Sequence, residues 1–352
     1  MDKNIWIIVL AVVFLASLMA AFLYWSNLTA KTEINIENNV NNLEPADIRD
    51  KEASIIFVGD IMTSRGVAMK MKANGNDYPF LNVVDYLKSA DAVFGNLETS
   101  ITPGRVIKNN EMYFRSDPDV AEVLKNAGFT ILSLANNHTP NFGEKGLLDT
   151  FKYLDNMGIK YAGAGKNSNE ASQPANFEIN GIKFAVLAYT DLAFMPVDYG
   201  AAASRSGTNV MNIENMISAV SKAKSNSDVV IISMHSGDEY SVAPNQKQID
   251  FARSAIDAGA DLIIGHHPHV VESAEIYKGK YIFYSLGNFV FDQMWSMPTR
   301  QGVALKIRFN KDGVAEVLPT AFIINDYSQP QILEGQEAQN VINILKLTAS
   351  PN

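Results

Sequence analysis

The chain has no cysteine among its 352 residues, only 5 histidines and 3 tryptophans, and fewer basic than acidic side chains: 29 Lys and Arg against 38 Asp and Glu, a net charge of -9. Each shortage excludes something. Without cysteine there is no disulfide framework and no thiolate metal site, and the composition suits an oxidising exterior. The acidic balance argues against a nucleic-acid partner, which wants a basic face. It leaves anionic substrates open, provided a bound cation supplies the positive charge. Apolar residues are plentiful at 47%, enough for a sizeable core.

The run from Ile5 to Trp25, IWIIVLAVVFLASLMAAFLYW, is apolar throughout, with only Ser17 mildly polar. As a helix it would span roughly 30 Å of hydrocarbon, with Trp6, Tyr24 and Trp25 at the interfaces. A cleaved signal peptide would carry a shorter apolar region, about 7–15 residues, and a small-x-small cleavage site. Leu28 two positions before Ala30 matches that poorly. The reading is therefore a short cytoplasmic segment (1–4), a transmembrane anchor (5–26), an Asn-, Asp- and Glu-rich linker (27–53), a globular domain (54–325) and a tail (326–352) with a short amphipathic helix at about 336–347. Lys3 ahead of the span orients the domain to the extracytoplasmic side of the cell membrane, as a single-pass protein.

From residue 54 onward, short apolar runs rich in β-branched residues alternate with longer helix-like segments. SIIFVG (54–59), AVFGN (92–96), TILSLAN (130–136), VVIISMH (229–235) and DLIIGH (261–266) read as strands. PFLNVVDYLKSA (79–90), GEKGLLDTFKYLDNMG (143–158), IENMISAVSKAKS (213–225) and NQKQIDFARSAIDAG (245–259) read as helices. Asn180-Gly181 within 175–190 is a hairpin signal. The sum is an α/β fold with a mixed sheet system.

Five of the apolar strands end in polar residues of one chemical kind: Asp60; Glu98; Asn137 and His138; His235; and His266, His267 and His269. Taken singly, an Asp or Asn after a strand is ordinarily a turn former or cap. Together they are expected to converge, because the carboxyl ends of strands gather at one edge of an α/β sheet. Carboxylate, amide oxygen and imidazole suit one or two divalent ions such as Mn, Fe or Zn. Two such ions would act on a phosphate ester, with Glu98 as candidate bridge and His138 as candidate acid. Pro268 biases His267 toward an extended backbone. His267 and His269 would then face one side while His266 packs or hydrogen-bonds behind them.

The stretches VGDIMTSR (58–65), FGNLETSIT (94–102), LANNHTPNFGEKGL (134–147), MHSGDEY (234–240), GHHPHVVES (265–273) and YSLGNFVFDQ (284–293) together resemble the capsule-synthesis protein CapA family, which is similar to the calcineurin-like metallophosphoesterases. The resemblance implies a four-layer α/β/β/α sandwich with a two-metal site. By that resemblance Asp60 would bind the first metal and Glu98 would bridge. Asn137, His235 and His267 would complete the second, and His269 would return to the first. His138 would be the catalytic acid, and Asn96 and Asn288 would orient ligands or substrate. It also implies work on poly-γ-glutamate or a related anionic envelope polymer or its precursor, alongside other capsule-synthesis membrane proteins. The sequence departs from the wider phosphoesterase pattern at Met62, where a metal-binding histidine is usual, and at Glu98, where the bridge is usually Asp. A thioether is a poor ligand for hard cations, so the first position is expected to be weak, mononuclear or completed by water. Two functions follow from this reading: a metal-dependent hydrolase, or an accessory protein that binds the polymer's carboxylates through its metals.

Overall fold

The computed structural model describes residues 16–26 and 52–349, and the chain divides between Asp50 and Lys51 into two units. In the first, residues 16–26 are helical, with Leu18, Phe22 and Trp25 exposed. Among the described residues no helix is long and apolar enough to cross a membrane. The first part of the anchor expected over Ile5–Trp25, and most of the linker after it, lie outside the described residues.

The second unit is built on two sheets. The chain first lays down β1 (Ala53–Ile61), β2 (Ala92–Leu97), β3 (Ile131–Ser133) and β4 (Lys160–Ala162). It crosses to a second sheet with β5 (Ala175–Ile179), β6 (Ile182–Thr190), β7 (Val229–His235), β8 (Leu262–His266), β9 (Ala274–Tyr277) and β10 (Lys280–Phe283). It returns to the first with β11 (Asn288–Val290), β12 (Gln301–Asn310), β13 (Gly313–Asn325) and β14 (Gln329–Ile332), and closes on the second with β15 (Thr348–Ala349). The first sheet runs β14-β13-β12-β1-β2-β3-β4 with β11 also beside β1, and the second β15-β9-β10-β8-β7-β6-β5.

Side-chain alternation turns these sheets into a sandwich. Along β1, Ile55 and Phe57 face the second sheet, where they meet Phe184, Val186, Ile231 and Ile264. The intervening Ile56 and Val58 face outward onto the helices α1 (Arg65–Asn74), α2 (Val120–Ala127) and α3 (Gly143–Asn156), through Val67, Leu124 and Phe151. On the second sheet Leu187, Ile232 and Ile263 face α4 (Ile213–Lys224) and α5 (Gln246–Asp257), through Val220 and Phe251. Three apolar interfaces therefore separate four layers, α/β/β/α. Because these strands are covered on both faces, they read as continuous apolar runs. Each fully buried large side chain contributes about 1.5–3 kcal/mol.

Two expectations need correcting. The segment 79–90 is not one helix: a 3₁₀ turn at Tyr78–Phe80 is followed by a single helical turn at Val84–Leu87. Phe80, Val83 and Leu87 are still buried at helical spacing, but Pro79 starts the first turn and the Asn82-Val83-Val84 run is a poor helix former. The residues after Asn325 are also more than a tail. They carry the expected helix, α6 (Gly335–Ile342), but β14 pairs with β13 and Val341 and Leu345 are buried in the inter-sheet core. The hairpin forms at Asn180-Gly181, with φ of 52° and 79°, the left-handed pair a tight turn requires.

The strands β1, β2 and β3 are parallel, and so are β6, β7 and β8. Their carboxyl ends lie along the edge where the polar residues sit. At that edge β1 shifts register against β2 between Phe57 and Asp60, and Asp60 pairs with Asn288 of β11. Gly59 permits this crossing: a Cβ there would sit 1.8 Å from the Gly287 carbonyl oxygen.

Candidate metal centre

Asp60 lies at the middle of the site and is fully buried. Its Oδ1 accepts a hydrogen bond from Asn96 Nδ2 at 2.8 Å, and its Oδ2 accepts from the His267 backbone N–H at 3.3 Å. His266 Nδ1 and His269 Nδ1 each stand 3.4 Å from one of its oxygens. Burial works to raise the Asp60 pKa, but the two imidazoles hold it well below the ordinary carboxylate range.

Asn96 joins the two sheets. Its Nδ2 also approaches His235 Nδ1 at 3.2 Å, and its Oδ1 accepts from Asn136 Nδ2 at 3.0 Å. Asn136 ties the loop after β3 into shape. Its Oδ1 takes the backbone N–H groups of His138 and Thr139 at 3.0 and 2.8 Å, while its Nδ2 also reaches the Leu97 carbonyl. This knot presents Asn137, whose Oδ1 accepts from His235 Nε2 at 3.0 Å. Asn137 and His235 are thus together on one side of the site, beside His267, whose ring centre is 4.9 Å from that of His235.

The histidine loop differs from the extended form expected of it. His267 has φ 101° and His269 φ 59°, so both are left-handed. The bias that Pro268 exerts is overridden by the turn that brings the His267 N–H onto Asp60 and the Pro268 carbonyl onto Tyr240 N–H at 2.8 Å. His266 closes β8 and does not point away: its ring lies against Asp60, fully buried. Neither of its nitrogens makes a hydrogen bond within ordinary limits. His267 is covered by the ring of Phe194, stacked at 3.7 Å. Burial first, then neighbouring His269, pushes the His267 pKa down to about 3, leaving a neutral imidazole with an unpartnered Nδ1.

Glu98 and His138 face each other across the cleft, with His138 Nε2 3.7 Å from Glu98 Oε1. The His138 Nδ1–H donates to Asn141 Oδ1 at 2.9 Å, and Phe114 stacks on its ring at 3.8 Å. Arg65 lies over the other side of that phenyl group, 4.5 Å from its centroid, and pairs with Asp292. Burial brings the His138 pKa down to about 3. His269 is the exception among the histidines with shifted pKa values. Burial opposes its charge, but Glu98 and Asp60 raise it to about 9.

The fit to a cation rests on Glu98. It is 0% exposed, and neither carboxylate oxygen has a hydrogen-bond partner. Burial, then the charge of Asp60, pushes its pKa well above the ordinary range. An unsatisfied buried carboxylate is costly, and a divalent ion satisfies it. One ligand atom each from Asp60, Glu98 and His269 lies within 4.8 Å of the others. Met62 adds nothing here: its sulfur accepts the Ser64 N–H at 3.0 Å.

Sequence reasoning brought forward Asp60, Glu98, Asn96, Asn137, His138, His235, His266, His267, His269 and Asn288, and the fold gathers all of them at one edge. It passed over Asn136, Asn141, Phe114, Phe194 and Glu239. Asn136 stands within the quoted LANNHT stretch, where its neighbour drew attention instead. Phe114 and Phe194 reach the site from loops with no periodic signal.

Residues 54–293 match the family described as "Bacterial capsule synthesis protein PGA_cap". "Capsule biosynthesis protein CapA" of Bacillus anthracis is 37% identical over 291 residues, covering 78% of this chain and 69% of that one. "PGA biosynthesis protein CapA" of Bacillus subtilis (strain 168) is 35% identical over 308 residues, covering 86% and 80%. The calcineurin-like phosphoesterase YfkN from Bacillus subtilis overlays with a TM-score of 0.48 and 16% identity, over 84% of this chain and 98% of that one, too loosely to bear on chemistry. With its strand-end motifs all inside the matched residues 54–293, this chain belongs to the bacterial capsule synthesis protein family PGA_cap.

Proposed function

We propose that this protein is a membrane-anchored, metal-dependent hydrolase of capsule or exopolymer synthesis, of the poly-γ-glutamate type, acting on a phosphoester or related envelope bond. The observation that carries this reading is the buried, unsatisfied Glu98 between His138 and His269. Asp60, Glu98 and His269 would hold one ion, and Asn137, His235 and His267 would complete a second. Such ions supply Lewis acidity toward an anionic ester. The chain's own groups do the rest. Asn141 and Phe114 fix the His138 ring, so that Nε2 is the atom that handles the proton at the cleft. Asn96 holds Asp60 and His235 in register. Phe194 covers His267 against water. The substrate is an anionic envelope polymer or its precursor, met at the outer face of the membrane beside other capsule-synthesis membrane proteins.

The test is turnover of a chromogenic phosphodiester by the full-length protein in detergent with added Mn. Hydrolysis that His138→Ala abolishes while metal content stays constant supports the proposal; no hydrolysis with metal bound overturns it. The engaged sulfur of Met62 favours a second reading, in which the metals bind polymer carboxylates without chemistry. Metal-dependent binding of poly-γ-glutamate with no turnover would select that one. For the anchor, the protein should stay in the membrane through alkaline extraction, with the domain open to external protease. Release of a shortened soluble form would remove it.

A further inference from the structure

The site is short of one ligand on the β1 side. Position 62 carries a thioether that is buried and already committed to the Ser64 N–H. The loop after β7 runs Ser236-Gly237-Asp238-Glu239-Tyr240. One carboxylate oxygen of Glu239 and one ring nitrogen each of His267 and His269 lie within 4.8 Å of one another. His269 is also a member of the Asp60 and Glu98 group, so the two groups share a ligand and adjoin.

An exposed loop carboxylate is ordinarily just solvated. Two observations set Glu239 apart. At its end stand two imidazoles that are 2% and 3% exposed, and the Nδ1 of His267 has no partner. The loop is also fastened to the histidine loop from both ends. Ser236 N–H donates to the His266 carbonyl at 3.1 Å, and Tyr240 N–H to the Pro268 carbonyl at 2.8 Å. Between them Gly237, at φ 128°, passes so close that a Cβ would lie 2.7 Å from Gln248 Nε2 and 2.9 Å from Pro268 Cγ. A side chain on a pinned loop loses less entropy when it binds than one on a free loop.

Building on the metal-centre reading above, we propose that Glu239 is a metal ligand, a hard carboxylate reaching in from the β7 loop to replace the donor that Met62 does not provide. Exchanging a histidine position for a carboxylate shifts the set toward oxygen, which favours Mn or Fe over Zn. Because Glu239 comes from the solvent side, it also makes that ion the accessible one.

The test is Mn binding by the full-length protein, read by electron paramagnetic resonance of free Mn and by metal analysis, with no turnover needed. Glu239→Gln should weaken Mn binding at least about tenfold while leaving the melting temperature of the metal-free protein unchanged, as befits an exposed residue. Asp238→Asn, one residue away on the same loop, should bind as wild type. If Glu239→Gln keeps wild-type affinity and stoichiometry, the proposal is wrong while the metal centre stands. If Asp238→Asn weakens binding as much, Glu239 acts through its field and not as a ligand, and the proposal is equally wrong. A wild-type protein that takes up no Mn would overturn the metal centre itself.

Discussion

Asn288 grips His269 twice: its Oδ1 accepts from the ring Nδ1–H at 2.9 Å, and its Nδ2 donates to the His269 carbonyl at 3.3 Å. The same amide donates to Gln293 Oε1 and the Thr299 carbonyl, so its plane is fixed. With Nδ1 engaged, the ring turns Nε2 toward Glu98, 4.0 Å away. Orientation of this kind is what partners behind a metal ligand ordinarily provide.

The consequence can be measured. Asn288→Ala should lower Mn affinity about 10–100-fold and cost about 1–3 kcal/mol of stability through the carbonyls left unpaired. Asn288→Asp keeps the acceptor for the ring and should retain more of the affinity than the alanine variant. Equal losses in both would mean that Asn288 only fills space.

Glu98 makes a prediction with opposite signs in two readouts. Its carboxylate is buried without a hydrogen bond, so in the metal-free protein it is a cost. Glu98→Gln removes that cost at nearly constant volume, and the metal-free variant should melt higher than wild type at neutral pH. The same change should strip metal from the site. A structural glutamate would lose stability on substitution, so a lower melting temperature combined with normal metal content would sink the assignment.

How much of this was legible in the sequence follows from which forces act locally. Buried parallel strands must be apolar on both faces, so β1, β2, β7 and β8 stood out, and their polar ends with them. The convergence of Asp60, Glu98, His235 and His269 then follows from sheet topology. What the residues did not show is how loops close over that edge. The local preference of Pro268 pointed to an extended His267, whereas two bonds to residues distant in the chain, His267 N–H to Asp60 and Tyr240 N–H to the Pro268 carbonyl, set a left-handed one. Glu239 and Phe194 were missed for the same reason. A loop's path is set by partners distant in sequence, such as Gln248 beneath Gly237, and no period in the local sequence records them.

Behind the histidine loop, Glu272 is fully buried, with one oxygen accepting from Gln248 Nε2 at 2.8 Å and the other unpartnered. Gln248 is itself part of the capping box of α5, its Oε1 taking the Asn245 N–H at 2.8 Å. Burial raises the Glu272 pKa from 4.5 to about 8, against the lowering effect of the Gln248 bond. Below pH 4.5 folded and unfolded chains both hold this proton, and the group does not affect stability. As pH rises from there toward 8 the unfolded chain releases the proton and the folded one keeps it, so stability falls, by about 1.4 kcal/mol per pH unit at most. Above about 8 the loss levels off. Glu272→Gln keeps the acceptor for Gln248 and has no proton to release. The variant should therefore match wild type near pH 4.5 and melt progressively higher than wild type as pH approaches 8. Thermal unfolding of the metal-free proteins across that range checks it, and a difference that stays flat with pH would show that Glu272 is charged in the fold and is compensated by a partner.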